Sequence, residues 1–505
     1  MKAETKQISF FGLKLTDLIY LLCFTVLSIL LHGYSYGTGD QALYIPLLNK
    51  LRDYTLFPTD YLFPLFYSHN TLVYLGITLA GRFLGGNFFV PYTILYCVTS
   101  FFWYIGIYKL ASTLFQNRKT ALLSCLLFIL PYPVGGAAIT TVEASFLLRY
   151  VTNTILIYLL ITFFEEKYFV LIYLFAILTI VHPLSGAIFF PLIFLMVLRV
   201  PKNIRNQIYI HFTFLMLIVG FIVVAANPGN LIGTLPLMPT EEWLQVLQFR
   251  NKYAFPLLWS LNEWKYLFIA LLPLVLYTIR STLRNEISDQ KTRFILLLLT
   301  VTSFMLVVQI LFTSIFPVSY VIILQLGRIW LIPIILSFII GTHLVTKIYD
   351  RCIPRPLYLK IIILATIILA IFIRNKPVLA LQPPKWRETQ MWVKLHTNKN
   401  CTVLTNFYSQ GFRVYSERSI VGEYKDGTIS FYSPVFAQIW SQKKEALSKE
   451  NWFTRENLEN VQSTYPFSLV VLLNEQKTTL NRVFINDQYS VYQMPQLEQE
   501  CSLIL

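Results

Sequence analysis

Residues 32–70 read HGYSYGTGDQALYIPLLNKLRDYTLFPTDYLFPLFYSHN, and their reading decides how the rest of the chain is placed. The stretch separates two apolar runs, yet it is neither a membrane helix nor a featureless loop. Gly33, Gly37 and Gly39 permit tight turns. Asp40 then stands where a helix can begin, with Ala42, Leu43, Ile45, Leu47, Leu48 and Leu51 as its apolar face. Asp53 and Asp60 follow, and Pro58 breaks the chain between them. An amphipathic helix that carries carboxylates beside a bilayer can present an acid to a substrate whose tail stays in lipid.

The flanking sequence is that of an integral membrane protein. Mean hydropathy is +0.57, and 55% of residues are hydrophobic against 13% charged. Apolar runs of about 15 to 22 residues recur from Leu15 to Phe372. No lipid-facing stretch of these runs contains a charge, so they read as helices rather than barrel strands. The first, from Leu15 to Leu31, follows Lys2, Lys6 and Lys14 and lacks a small-residue cleavage site. It reads as an uncleaved anchor.

The formal charge of +15 does not point to nucleic acid, because the basic residues gather in short connections between spans. Lys109, Arg118 and Lys119 form one cluster, Arg199, Lys202 and Arg205 a second. Arg280, Arg284, Lys291 and Arg293 form a third, and Lys347, Arg351, Arg355 and Lys360 a fourth. Such connections lie on the inner side. Thr71–Leu84, ending in Arg82, is short for a span and reads as an interfacial helix, which keeps Lys109–Lys119 inside. The expected spans are 15–31, 88–108, 120–134, 150–164, 168–182, 184–199, 208–226, 264–280, 294–313, 328–346 and 359–374. The pair around His182-Pro183 can also be one broken helix.

The fold expected is thus an all-α polytopic membrane domain (1–376) of about 11 helices, with a first outer loop at 32–87. Its N-terminus is cytoplasmic. A soluble, extracytoplasmic α/β domain follows at 377–505. There, Trp386–Leu395, Val435–Leu447 and Arg455–Gln462 read as helices, and Thr402–Asn406, Ser419–Tyr424, Ser468–Leu473 and Ser490–Gln493 as strands. The segment Asn227–Glu263, rich in proline and aromatics, reads as short interfacial helices. Six cysteines show no metal or redox spacing. Cys23, Cys97 and Cys125 lie in spans as small packers, whereas Cys401 and Cys501 share the outer region, where a disulfide can form.

This topology collects candidate functional groups on the outer side. Asp40 lies in the first outer segment, Glu143 and Arg149 in the second, His182 at a helix corner, and Arg328 at the mouth of a span. Each also has a plainer role: Asp40 and Asp60 as helix or turn caps, Glu143 and Arg149 as a local pair, His182 as a partner for a loose carbonyl, and Arg328 as an anchor to lipid phosphate. Arginine also suits a bound diphosphate, which it matches bidentately. The stretch GFRVYSERSIVGEYKDG at 411–427 carries Arg413, Arg418 and Lys425. It reads either as a solvated strand edge or as a phosphate-facing lip over the membrane site. No Walker loop, zinc-binding cluster or serine elbow is present.

The arrangement resembles the GT-C superfamily of polytopic glycosyltransferases, and is most similar to uncharacterised bacterial members. The resemblance rests on the long first outer loop with an acid at Gly39-Asp40-Gln41, the membrane-edge helix ending in Arg82, and the basic turn Lys109–Lys119. It also rests on a C-terminal α/β domain beginning KWRETQMWVKLHTNKNCTVLTN and closing with YPFSLVVLL and DQYSVYQM. It implies a transferase in the bacterial inner membrane, using a polyprenyl-phosphate sugar donor and a lipid or glycan acceptor at the outer face. By this resemblance Asp40 is the general base, with Glu143 and His182 as further catalytic candidates. Arg328, with Arg149, Arg413, Arg418 and Lys425, holds the phosphate. Gln41 stands where many members carry a second acid, so no metal or other cofactor is implied. Two further classes are open: a non-catalytic glycan- or lipid-binding scaffold, and a lipid or solute transporter. The transporter predicts mid-membrane charges and broken helices in both halves, of which only the His182-Pro183 break is present.

Overall fold

The computed structural model describes residues 9–10, 12–66, 72–226, 235–284, 290–352, 379–495 and 501. Its membrane part starts with α1 (Leu15–His32), which ends where Gly33 turns at φ 80°. At the opposite end of α1, Asp17 accepts from Arg118 Nε at 2.8 Å and from the Tyr108 hydroxyl at 2.9 Å. The segment after α1 forms a short strand β1 (Tyr34–Tyr36), α2 (Gln41–Arg52) and α3 (Leu72–Phe83). With 12 residues, α3 is about 18 Å long, too short for a hydrocarbon core of about 30 Å.

The helices that follow are α4 (Phe89–Phe115), α5 (Arg118–Leu127), α6 (Leu148–Phe164), α7 (Tyr168–Val181) and α8 (Pro183–Leu198). After them come α9 (Lys202–Ala226), α10 (Glu241–Arg250), α11 (Leu261–Leu283), α12 (Gln290–Ile310) and α13 (Leu331–Cys352). Among the described residues six helical stretches are long and apolar enough to cross a membrane, and α6, α7 and α8 are shorter apolar helices. The expected span 359–374 lies outside the described residues.

The expected span 120–134 is corrected. Its helix, α5, has only 10 residues, about 15 Å or half a bilayer. The chain then turns at Phe128–Ile129, and Pro133 bridges to Thr140. Prolines at 131 and 133 cannot continue the helix. Val134, Ala137, Ile139, Val142 and Phe146 of the segment that follows are buried in the core of the bundle, and Ala144 accepts from the Ser35 N–H at 2.6 Å. That bond ties the segment after α1 to the segment before α6. At His182 the chain breaks between α7 and α8, which pack against each other, so this is a corner between two helices. Cys125 is buried in the bundle, while Cys23 and Cys97 are exposed on its surface.

The C-terminal part contains β2 (Leu379–Leu381), α14 (Pro384–His396), β3 (Thr402–Leu404), β4 (Ser419–Ile420), α15 (Pro434–Leu447) and α16 (Arg455–Thr464). It ends with β5 (Leu469–Leu473), β6 (Asn481–Ile485) and β7 (Tyr489–Gln493). The sheet order is β4-β3-β5-β7-β6, with parallel pairs at β3 and antiparallel pairs at β7. A disulfide joins Cys401 to Cys501.

Side chains alternate across this sheet, and each face has its own core. Val403, Leu469, Val471 and Val491 pack with Trp386, Val393 and Phe412. Leu404, Val470 and Leu472 pack with Trp440 and also with Leu43, Leu47 and Leu51 of α2. Helix α2 and the C-terminal sheet thus share one hydrophobic core. In addition, β1 pairs in parallel with β2. The sequence boundary near 377 does not separate two independent bodies.

Candidate functional site

A cavity of about 440 Å³ lies where the bundle, the segments 33–87 and 128–147 and the C-terminal part meet, and Asp40, Glu143, Arg149, His182, Arg328 and Lys425 all line it. Asp40 precedes α2, but its carboxylate does not cap that helix. Instead Oδ2 accepts from Arg149 Nη1 at 2.5 Å and Oδ1 from Lys425 Nζ at 2.6 Å. Burial alone would raise the carboxyl pKa. The two cations outweigh burial and hold it well below the usual carboxylate range. The turn before it is tight: Gly37 has φ +76°, and a Cβ there would meet Val414 Cγ1 at 3.2 Å. Gln41, fully buried, accepts from the Gly37 N–H at 3.0 Å and donates to the Phe146 carbonyl at 3.1 Å. Gln41 thereby shapes the loop that presents Asp40.

Arg149 opens α6 and is shared. Its Nε donates to Glu143 Oε1 at 2.8 Å while Nη1 holds Asp40. Glu143, 8% exposed, therefore aims the guanidinium. The local Glu143–Arg149 pair forms, and it is part of a chain running Glu143–Arg149–Asp40–Lys425.

His182 caps α8. Its Nδ1 accepts the Ser185 N–H at 3.1 Å and lies 2.8 Å from the Ser185 hydroxyl. Its partner is thus an N–H rather than the carbonyl expected from sequence. Burial, together with the Arg328 and Arg149 charges, pushes its pKa down to about 3. The imidazole is neutral, and with Nδ1 accepting, its proton resides on Nε2. It can donate a hydrogen bond, but it is a poor base at neutral pH.

Arg328 sits in a 3₁₀ turn, Leu326–Trp330, entered through Gln325 at φ +53°. Gln309 braces the turn, accepting from the Gly327 N–H and donating to the Ala254 carbonyl at 2.7 Å. Arg328 Nε is buried and has no acceptor among the described residues; the Tyr253 ring centre lies 5.8 Å from its guanidinium carbon. Arg250, a lining residue that sequence reasoning missed, donates to the Tyr424 carbonyl and the Thr428 hydroxyl, both at 2.9 Å. The signal for it was its place in the aromatic-rich segment 227–263. In all, Arg149, Arg250, Arg328 and Lys425 face Asp40 and Glu143, and the excess of cations suits an anionic ligand.

Two expected phosphate ligands do not reach this cavity. Arg413 is fully buried and gives two bonds to Asp60, at 2.6 and 3.0 Å, and two to Asp426, at 2.7 and 2.9 Å. Arg418 donates to the Thr397 hydroxyl at 3.0 Å and the Lys394 carbonyl at 2.7 Å, closing the end of α14. Both guanidinium groups are consumed by protein acceptors. Asp60 also accepts from the Ile420 N–H at 3.1 Å and the Leu62 N–H at 3.1 Å. It is therefore an interdomain anchor more than a turn cap. Among the described residues no three His, Cys, Asp or Glu side chains gather as a metal site.

One family model, described as a domain of unknown function (DUF6798), matches residues 384–433. The matched stretch runs from α14 to the residue before α15 and includes Arg413, Arg418 and Lys425. No curated protein matches the chain.

Proposed function

We propose that the protein is a membrane glycosyltransferase that moves a sugar from a polyprenyl-phosphate donor to a lipid or glycan acceptor at the outer face. The observation that carries this reading is the cavity in which one carboxylate, Asp40, lies between two cations while Arg328 keeps an unmatched donor. The Cys401–Cys501 disulfide supports an oxidising, extracytoplasmic location for the C-terminal part. About 11 spans, a cytoplasmic N-terminus and the bacterial inner membrane belong to the same proposal.

In this reading the donor phosphate takes hydrogen bonds from Arg328, Arg149 and Lys425. Asp40 then shares its counterions with a stronger anion, and its basicity rises. It removes the acceptor hydroxyl proton as that oxygen bonds to the anomeric carbon. The carbon–oxygen bond to phosphate breaks with inversion, and its electron pair stays on the phosphate. Arg328 stabilises the growing charge. Neutral His182 supplies a hydrogen bond from Nε2, and Glu143 keeps Arg149 aimed.

A binding-only role is the second reading, favoured by the fact that Asp40 has both oxygens already held by cations. One substitution separates the two. Asp40→Asn keeps the shape but cannot take a proton, so transfer from a polyprenyl-phosphate sugar should fall about 10²- to 10⁴-fold with donor binding retained. Undiminished transfer would remove Asp40 as the base. Absence of transfer by the parent protein with any such donor would leave the binding role.

A further inference from the structure

A second cavity, of about 450 Å³, shares no lining residue with the first. The two are reached from opposite ends of α2: Asp40 precedes its start, and Arg52 closes its end. Arg52, Arg387 and Lys394 line the second cavity, with Glu417 as the carboxylate among them. Arg52 Nη2 and Lys394 Nζ both contact the same oxygen, Glu417 Oε1, at 2.9 and 2.7 Å. Arg387 lies beside the Tyr415 hydroxyl, and no carboxylate pairs with it among the described residues. The lining therefore carries an excess of positive charge that a phosphate group would balance.

The turn Gly85–Phe89 that joins α3 to α4 lines one part of the cavity. Gly86, at φ +84°, leaves room for Arg52: a Cβ there would stand 2.1 Å from Arg52 Nη1, and the Gly86 carbonyl accepts from that nitrogen at 3.0 Å. The two helices leaving the turn expose apolar stripes. On α3 these are Leu75, Leu79 and Phe83, the last 91% exposed, and on α4 they are Val90, Ile94 and Val98. Both sets repeat every four residues, so each forms one face. Large exposed apolar faces beside a basic pocket are the pattern of a lipid headgroup site. These stripes turn the cavity toward the acyl region of the bilayer, so a phosphate that carries acyl chains gains apolar contacts there that a free anion lacks.

We propose that this second cavity holds the phosphate of an anionic phospholipid, contacted by Arg387, Lys394 and Arg52, with the acyl chains lying along α3 and α4. The site is independent of the transferase reading, since it uses none of that cavity's residues. It would also give α14, within the matched family segment, a direct contact with the membrane surface.

Full-length protein in neutral detergent, offered phosphatidylglycerol or phosphatidylcholine and read by native mass spectrometry, tests this. The parent protein should retain phosphatidylglycerol at least about tenfold better than phosphatidylcholine, as expected for a charge-assisted phosphate contact. Arg387→Gln with Lys394→Gln should remove that preference. So should Met391→Trp, which fills the cavity without altering charge, whereas Arg455→Gln, at an exposed arginine of α16 that lines neither cavity, should leave it intact. Near-UV circular dichroism identifies any variant that fails to fold, in which case the parent's own selectivity decides. Equal retention of the two lipids by the parent, or full retention by folded cavity variants, overturns the proposal. Inorganic phosphate bound in the cavity with no preference for phosphatidylglycerol would assign it to a free anion and also overturn the lipid.

Discussion

At the scale of single residues, the site is a contest over two cations. Asp40 was visible in the sequence because Gly37, Gly39 and the apolar face of α2 announce a helix start, but the same pattern equally suggests a cap. In the folded protein the carboxylate turns away from the helix to Arg149, 109 positions later, and Lys425, 385 positions later. No local pattern encodes partners at such separations. Arg328 differs because its Nε is unsatisfied, so removing it should damage donor binding and turnover together. Arg328→Ala is expected to raise KM and lower kcat, whereas Asp40→Asn lowers kcat alone, because a phosphate contact exists before and during reaction. Steady-state kinetics with a polyprenyl-phosphate sugar decides, and identical profiles for the two would merge their roles. Glu423 gives a test by pH. Burial first, then the neighbouring Asp426 charge, pushes its pKa up to about 8 from an ordinary 4.5, against the pull of Arg413. A folded pKa above the unfolded one means that its contribution to stability is full below about 4.5 and is lost as pH rises through about 8. Thermal unfolding in detergent should therefore show a falling midpoint from pH 7 to 8, above the range in which His182, lowered to about 3, adds stability as pH rises toward 6.5. Glu423→Gln keeps an acceptor for the Gly411 N–H, bonded at 2.8 Å in the parent, and should flatten that slope. Lys443, lowered to about 8 mainly by burial, acts in the opposite sense above that window and does not confuse the comparison. An unchanged slope in the glutamine variant would assign the pH dependence to other groups.

At the scale of elements, hydropathy and periodicity carried much of the fold. α14, α15 and α16 stand within a few residues of where the 3.6-residue pattern puts them, and β3, β5 and β7 fall on β-rich runs. The failures have physical causes. The helix expected at 120–134 runs past α5 because LLFIL is equally apolar in a helix and in the turn that buries Phe128 and Ile129. The strand expected at 419–424 shrinks to two residues because Glu423 starts a 3₁₀ segment with a capping box. β6 was missed because NRVFI is an edge strand, half-exposed on both sides, with no alternation to read. Arg413 shows the same limit at higher stakes. The alternating charges at 411–427 look like a solvated edge, yet the guanidinium is buried between Asp60 and Asp426 and clamps the first outer loop to the segment before α15. An exposed i,i+4 pair such as Arg455–Glu459, with side chains 53% and 47% exposed, contributes about 0.3–0.5 kcal/mol. Arg413→Met should instead cost about 3–5 kcal/mol, because Asp60 and Asp426 are left buried and unpaired. Chemical or thermal unfolding in detergent measures it, and a loss under about 1 kcal/mol would mean that water reaches the carboxylates after the change.

At the scale of the whole molecule, the change in composition near Pro377 suggests a detachable soluble domain, and the packing argues against detachment. The face of the sheet carrying Leu404, Val470 and Leu472 is completed by Leu43, Leu47 and Leu51 of α2, each at most 4% exposed. β1 and β2 pair across the same junction, and Arg413 reaches Asp60 there. Burying one leucine contributes about 1.5–3 kcal/mol, so losing three removes a large part of the 5–15 kcal/mol that keeps a domain folded. The first cavity depends on the same union, since Asp40 rides on α2 while Lys425 comes from the C-terminal part. Residues 377–505 expressed alone should therefore expose an apolar face, bind a hydrophobic dye and aggregate. Fusing residues 41–64 to that fragment should restore a cooperative unfolding transition, because the segment supplies both the leucines and Asp60. A soluble, cooperatively folded 377–505 fragment would show that the sheet is self-sufficient. In that case α2 would be a docked element, free to move Asp40 relative to Lys425, and the clamp at Asp40 could open by separation of the two parts and not only by competition from a bound phosphate.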